Sequence, residues 1–248
     1  MIERLARLGY LSIGIVYIIA GLLAAAGGST RGPKGAFTFI RHQPFGRVAL
    51  AVIVIGLAGY ALWRFIDGIA DSEDRGSDAK AIAVRIGSVA RGVVYAAIAI
   101  EVLRGGGGGG DKTKHWTARL MEKPFGRWIV AVAGLAFVGA AAYQLYRAFS
   151  AKLSKRLHLD SLDASLRRNV VAISRFGIGA RGIIFFLIGG SLIVAALRYD
   201  PSAAEGTPGA LHDLAQPFGG IPLVIVGVGL AAYGVYAFVN ARYRSIRA

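Results

Sequence analysis

Residues 42–66, HQPFGRVALAVIVIGLAGYALWRFI, decide the fold. Between Arg47 and Arg64 no side chain carries a charge. An α-helix rises about 1.5 Å per residue, so about 20 consecutive apolar residues cross the hydrocarbon core of a bilayer. The stretch therefore predicts a transmembrane helix over about 46–66. Working outward, five further windows of the same character lie at about 8–27, 84–103, 126–146, 174–197 and 218–239. Composition agrees. The 248 residues are 55% hydrophobic and 17% charged, with a mean hydropathy of +0.54, against roughly 25% charged residues in soluble domains.

The block at the head of that stretch recurs. Gln43-Pro44-Phe45-Gly46-Arg47 is echoed by Lys123-Pro124-Phe125-Gly126-Arg127 and by Gln216-Pro217-Phe218-Gly219-Gly220. Small residues follow in register: Gly56 and Gly59, Ala136 and Gly139, Gly229 and Ala232. An aromatic closes each copy at Trp63, Tyr143 and Tyr236. The preceding spans share a second pattern, with Arg7, Gly9, Gly14 and Tyr17 matched by Arg85, Gly87, Gly92 and Tyr95, then by Arg175, Gly177, Gly182 and Phe185. A match over two spans at a time predicts three helical hairpins at 1–66, 84–146 and 174–239, joined by connectors at 67–83 and 147–173. An even number of crossings returns the chain to one side, so these are parallel repeats. The expected architecture is all-α, with six transmembrane helices forming three two-helix repeats in a pseudo-threefold arrangement.

The first span resembles a secretory leader in having a basic start and an apolar core. Its apolar run, 8–26, is longer than the usual leader core of about 7–15 residues, and its pattern recurs twice inside the chain. It reads as a span. The segment RRNVV at 167–171 suggests a short amphipathic helix within the second connector, and the six glycines at 105–110 read as a flexible linker. They lack the Gly-Lys-Ser/Thr ending of a phosphate-binding loop.

Formal net charge is +15, from 29 Lys and Arg against 14 Asp and Glu. The basic residues flank apolar runs, which points to anionic lipid headgroups at a membrane face rather than to nucleic acid. Counting Lys and Arg by side gives 16 with the termini and 11 opposite, with Arg91 and Arg181 inside spans. That bias predicts a multi-pass protein of a bacterial plasma membrane with both termini cytoplasmic. There is no cysteine, and His42, His115, His158 and His212 form no paired metal motif. Neither a metal nor a cofactor is implied.

The corners before the returning spans carry Pro44, Phe45 and Gly46, then Pro124, Phe125 and Gly126, then Pro217, Phe218 and Gly219. Proline suits the first turn of a helix, where its missing N–H needs no partner, so each corner reads as a helix start or as a lipid-headgroup or ion-binding corner. Short amphipathic helices at the outer interface precede them, marked by Trp116 and Leu120 and by Leu211 and Leu214. Gly9, Gly14 and Gly21, like Gly177, Gly182 and Gly189, form a small-residue stripe for close helix packing.

Arg91 and Arg181 occupy one register inside spans two turns deep, where repeat one has Ile13. An intramembrane arginine marks a snorkelling lipid contact, an anion or substrate site, or an internal ion pair. Glu101 reads as the only acid inside a span and suggests either a pair with Arg104 or a coupling carboxylate. Tyr10 and Trp63 suit an interfacial belt, whereas Tyr17 and Tyr60 lie deeper and can hydrogen-bond across helices or face a cavity. No serine, histidine and acid converge within the spans, so an enzyme is not expected.

On the Arg-x-Gly and Pro-Phe-Gly-Arg blocks, the chain resembles the bacterial membrane proteins of the DUF1206 family over about 5–66, 83–146 and 173–239. The block Gln43–Arg47 followed by Gly56-Leu57-Ala58-Gly59-Tyr60 is especially typical, whereas Lys123 and Gly220 depart from it. The resemblance implies three copies of a two-helix domain and supplies no activity or catalytic residue. Three functions stay open: a noncatalytic scaffold or lipid- or partner-binding protein, a small-solute or ion transporter with a path between the repeats, and an enzyme acting on a lipid-linked substrate.

Overall fold

A computed structural model describes residues 2–26, 32–71, 76–104, 112–150, 163–215 and 220–243. The chain forms α1 (Ile2–Ala25), α2 (Gly32–Arg41), α3 (Gly46–Ile69), α4 (Ala79–Leu103), α5 (Lys112–Met121), α6 (Gly126–Phe149), α7 (Ala164–Arg198), α8 (Thr207–Ala215) and α9 (Gly220–Tyr243). Six of these, α1, α3, α4, α6, α7 and α9, are long and apolar enough to cross a membrane. The other three are the short helices before the corners. The segment RRNVV is not a separate amphipathic helix, because α7 begins at Ala164 and runs through it into the span. The glycine run 105–110 and the corner Pro217-Phe218-Gly219 lie outside the described residues.

The long helices pack in the spatial order α4, α3, α1, α9, α7, α6. Lipid tails are as apolar as leucine, so packing in a bilayer draws on close backbone approach at small residues. A methyl group on Gly189 of α7 would lie 2.8 Å from the Gly134 carbonyl of α6. One on Gly14 of α1 would lie 2.9 Å from the Gly234 carbonyl of α9. The row is curled between α1 and α7, since Arg181 on α7 reaches past α9 to within 5.5 Å of the Tyr17 ring centre on α1.

Two of the three expected hairpins pack as pairs, α1 with α3 and α7 with α9. The third does not: α4 packs on α3 and α6 on α7, and among the described residues α4 and α6 form no packed pair. The contact pattern thus stops short of a complete threefold arrangement. In the packed hairpins, Gly9 lies against Tyr60 and Gly177 against Tyr233. The equivalent of these tyrosines on α6 is Ala140, and in this repeat Gly87 faces only the Arg91 side chain of its own helix and Gly139 faces open space.

The arginines of the Arg-x-Gly pattern have a role that charge counting does not reveal. Arg85 donates to the carbonyls of Gly68 (2.9 Å) and Ile69 (2.7 Å) at the end of α3. Arg7 donates to Ala241 (2.7 Å) and Arg242 (3.1 Å) at the end of α9. Arg175 donates to Ser150 (3.4 Å), just past α6. The last carbonyls of a helix lack intrahelical partners and carry partial negative charge, so a cation there both satisfies and complements them.

The corners also differ from expectation. Pro44 and Pro124 stand before their helices rather than in the first turn. Gly46 N–H donates to Gln43 C=O, and Gly126 N–H to Lys123 C=O, both at 2.9 Å. Each closes a four-residue turn with proline second and a left-handed residue third, Phe45 (φ 60°) and Phe125 (φ 62°). That is the geometry of a type II turn, whose third position favours glycine. Glycine is instead needed one residue later, where a Cβ on Gly46 would strike the carbonyl of Ile40 and one on Gly126 that of Leu120.

Candidate functional site

Polar side chains gather toward the arginine-capped end of the bundle, where α1, α4 and α7 begin and α3, α6 and α9 finish. The first group belongs to α3. Arg64 is 5% exposed and Asp67 fully buried. Arg64 Nη1 donates to Asp67 Oδ2 (3.4 Å), Nε and Nη2 donate to Tyr60 Oη (2.9 and 2.8 Å), and Nη2 reaches Tyr10 Oη (3.3 Å). Its guanidinium also lies 4.2 Å from the Trp63 ring centre. Three expectations are corrected here. Asp67 is an acid inside a span, so Glu101 is not alone. Tyr10 and Trp63 are buried core residues rather than an interfacial belt. A buried charge needs partners, and these rings and hydroxyls supply them.

The second group centres on Arg181 of α7. Its guanidinium carbon lies 4.6 Å from the Tyr233 ring centre, 4.8 Å from Phe185 and 5.5 Å from Tyr17. Nη1 donates to the Tyr233 hydroxyl. Nε is buried with no hydrogen-bond partner. Among the described residues no carboxylate pairs with Arg181. Tyr17 and Tyr233 meet edge to face at 4.9 Å, and Tyr60 and Tyr95 likewise at 4.8 Å. Tyr17 and Tyr60 thus belong to an aromatic cluster that joins α1, α3, α4, α7 and α9.

Arg91, in register with Arg181, takes a different place. It is exposed on α4 and donates to Ser88 Oγ (3.2 Å). Arg147, near the end of α6, donates to Tyr236 Oη (2.6 Å) and Gln144 Oε1 (3.2 Å). The repeat pattern sets Arg147 opposite Asp67 of repeat one, a charge reversal the sequence reading did not single out. Glu101 is half-buried near the far end of α4. It stands ten residues, about 15 Å, from Arg91, so the structure does not bring them together.

At the opposite end of the bundle, Phe45 and Phe125 are 86% and 77% exposed at their corners. Trp116 is exposed on α5, whereas Leu211 of α8 is fully buried. Lys114 of α5 pairs with Glu205 at 2.7 Å, tying that helix to the segment before α8. No group of three or more metal-ligating side chains occurs among the described residues.

Six apolar spanning helices, with polar groups held between them and no assembled catalytic set among the described residues, define a multi-pass membrane protein. The chain belongs to the DUF1206 family (Domain of Unknown Function), which matches it at residues 8–71, 86–151 and 176–244. It is similar to the uncharacterized protein YxxB of Bacillus subtilis (strain 168), with 35% identity covering 98% of this chain and 91% of that protein. No solved structure matches the chain.

Proposed function

We propose that this protein is a noncatalytic membrane protein that binds anionic lipid headgroups at its arginine-capped, cytoplasmic end. In this reading both termini are cytoplasmic and the hairpins 1–66, 84–146 and 174–239 form a pseudo-threefold set whose second member stands open. The observation that carries the reading is Arg181, a cation enclosed by Tyr17, Phe185 and Tyr233 with no carboxylate partner among the described residues. Aromatic faces and one hydroxyl stabilise a guanidinium but leave its charge unbalanced, and an intramembrane charge calls for a counter-charge. Arg91 supports it from the outside. It lies six residues, about 9 Å, below the capping Arg85, a depth from which an arginine extends toward phosphates.

The test is lipid retention. Protein released from nanodiscs of mixed phosphatidylglycerol and phosphatidylcholine is weighed intact by native mass spectrometry. Wild type is expected to retain phosphatidylglycerol in preference. The double variant R91L/R181L loses that preference, and R119L/K123L, which removes two exposed charges at the opposite end, keeps it. Equal retention in both variants would sink the reading. A second reading, passage of small anions along the inner face, is favoured by the partial exposure of Arg181 together with the Tyr17 and Tyr233 hydroxyls. Anion flux into proteoliposomes that is lost in R181L would support it over the first.

A further inference from the structure

The second repeat departs from the other two in packing and in charge at once. Its face for hairpin packing is present in sequence and unused in the fold. Ala136 and Gly139 on α6 match Gly56 and Gly59 on α3, and Gly229 and Ala232 on α9. In those hairpins the matched residues are covered: a Cβ on Gly56 would strike Ser12, one on Gly229 would strike Ala180, and Gly177 lies against Ala232. On α6, Ala136 is exposed and nothing lies within 4 Å of a Cβ built on Gly139. Helices α4 and α6 are also the least buried of the six.

The charges follow the opening. Relative to repeat one, repeat two exchanges Ile13 for Arg91 on α4 and Asp67 for Arg147 on α6. Each helix of the unpacked pair thus carries one arginine, Arg91 bonded to Ser88 on its own helix and Arg147 to Tyr236 on α9. Behind them is Arg181, whose Nε is buried without a hydrogen-bond partner. Its surroundings reach both helices. Tyr17 and Tyr233, which touch its guanidinium, pack against the cluster that holds Tyr95 on α4, and Phe137 on α6 stacks edge to face at 5.5 Å on Phe185, which itself lies under the guanidinium.

We infer that the space between α4 and α6 is a lateral portal for one anionic phospholipid, whose phosphate faces Arg91, Arg147 and Arg181 and whose acyl chain lies along Ala136 and Gly139. The inference rests on the headgroup reading above and gives it a place. Charge complementarity selects the occupant. The cationic groups sit toward the capped end, where a headgroup enters, and the open small-residue stripe lies ten residues, about 15 Å, from the end of α6, at the depth of an acyl chain. A lipid in the outer layer needs no such cleft, whereas a missing side chain at Gly139 leaves a groove that a chain fills.

The test blocks the groove and leaves every charge in place. Gly139→Trp fills the open stripe, and Leu62→Trp adds the same ring at an exposed site on α3. Retention of phosphatidylglycerol is measured as above, with thermal unfolding to verify the fold. G139W is expected to lower retention on the order of tenfold, as for loss of one well-packed chain, and L62W to leave it unchanged. Wild-type retention in G139W overturns the portal, and the headgroup reading then stands or falls separately on R91L/R181L. Equal loss in G139W and L62W also overturns it. Should G139W fail to fold, wild type is irradiated with a phosphatidylglycerol bearing a photoreactive acyl chain. Adducts on 79–103 or 126–149 near Gly139 support the portal, and adducts confined to the outer faces of α3 and α9 overturn it.

Discussion

The packed hairpins, α1 with α3 and α7 with α9, and the unpacked pair α4 and α6 carry nearly the same text. All three have glycine two residues after the capping arginine and small residues in the middle of the returning helix. Packing differs where a large residue differs. Gly9 lies against Cα and Cβ of Tyr60 and Gly177 against the backbone of Tyr233, while the two rings go on to stack on Tyr95 and Tyr17, and Ala140 has no ring to add. Small residues permit close approach, but the attraction comes from the atoms that fill the space they leave. The lesson is that a small-residue stripe marks where helices are able to meet, and its large partner decides whether they do.

The largest expected effect tests that contrast directly. In Gly9→Ala the new methyl meets the Tyr60 side chain and lies 2.7 Å from the Gly56 carbonyl oxygen, both on α3. Overpacking of this kind costs about 1–3 kcal/mol. Gly87→Ala is the same change at the same repeat position, with open space around it. It is expected to be neutral or to stabilise α4 by up to about 1 kcal/mol, because alanine is the better helix former. Unfolding of both variants in one detergent measures the difference, and equal destabilisation would mean that the second hairpin is packed after all.

Next comes restoring the missing partner. Ala140→Tyr supplies the side chain that Tyr60 and Tyr233 provide elsewhere. The chain has no native cysteine, so a pair at Ala90 and Ala136, matched to Ser12 with Gly56 and to Ala180 with Gly229, reports closure without background. Oxidative crosslinking of A90C/A136C is expected to be slow and to rise several-fold with A140Y, a shift of about 1 kcal/mol toward the closed pair. Unchanged yield would show that something other than the tyrosine holds the helices apart.

Much of this was legible beforehand, and the remainder was hidden for physical reasons. The six spans follow from charge-free stretches such as 48–63, because the bilayer demands them. Burial near span ends does not. Arg64 reads as the last turn of a span and Asp67 as the start of a polar connector, yet α3 continues to Ile69 and buries both, since Tyr10 and Tyr60 supply hydroxyls for Arg64. Trp63 fits an interfacial belt equally well on composition alone, and only its place under Arg64 makes it core. Arg91 and Arg181 share one register, but the sequence does not reveal that one lies exposed on an unpacked helix and the other sits enclosed by three rings. That distinction depends on which hairpin closes, a property of tertiary contacts rather than of the repeat.

The smallest expected effect concerns the corners, and it separates two causes of the open pair. The corner of the packed first hairpin has Phe45 at φ 60°, ψ 15°, and that of the open second hairpin has Phe125 at φ 62°, ψ 4°. Geometry so similar cannot by itself hold one hairpin shut and the other apart. A left-handed phenylalanine costs about 1 kcal/mol that glycine does not, while glycine loses more chain entropy on folding. Phe125→Gly is therefore expected to change stability by less than about 1 kcal/mol and to leave crosslinking of A90C/A136C at its wild-type rate. A marked rise in crosslinking would identify the strained corner as the spacer and remove the missing tyrosine from that role. An unchanged rate, alongside the rise expected for A140Y, assigns the opening to the face of α6 rather than to the turn that leads into it.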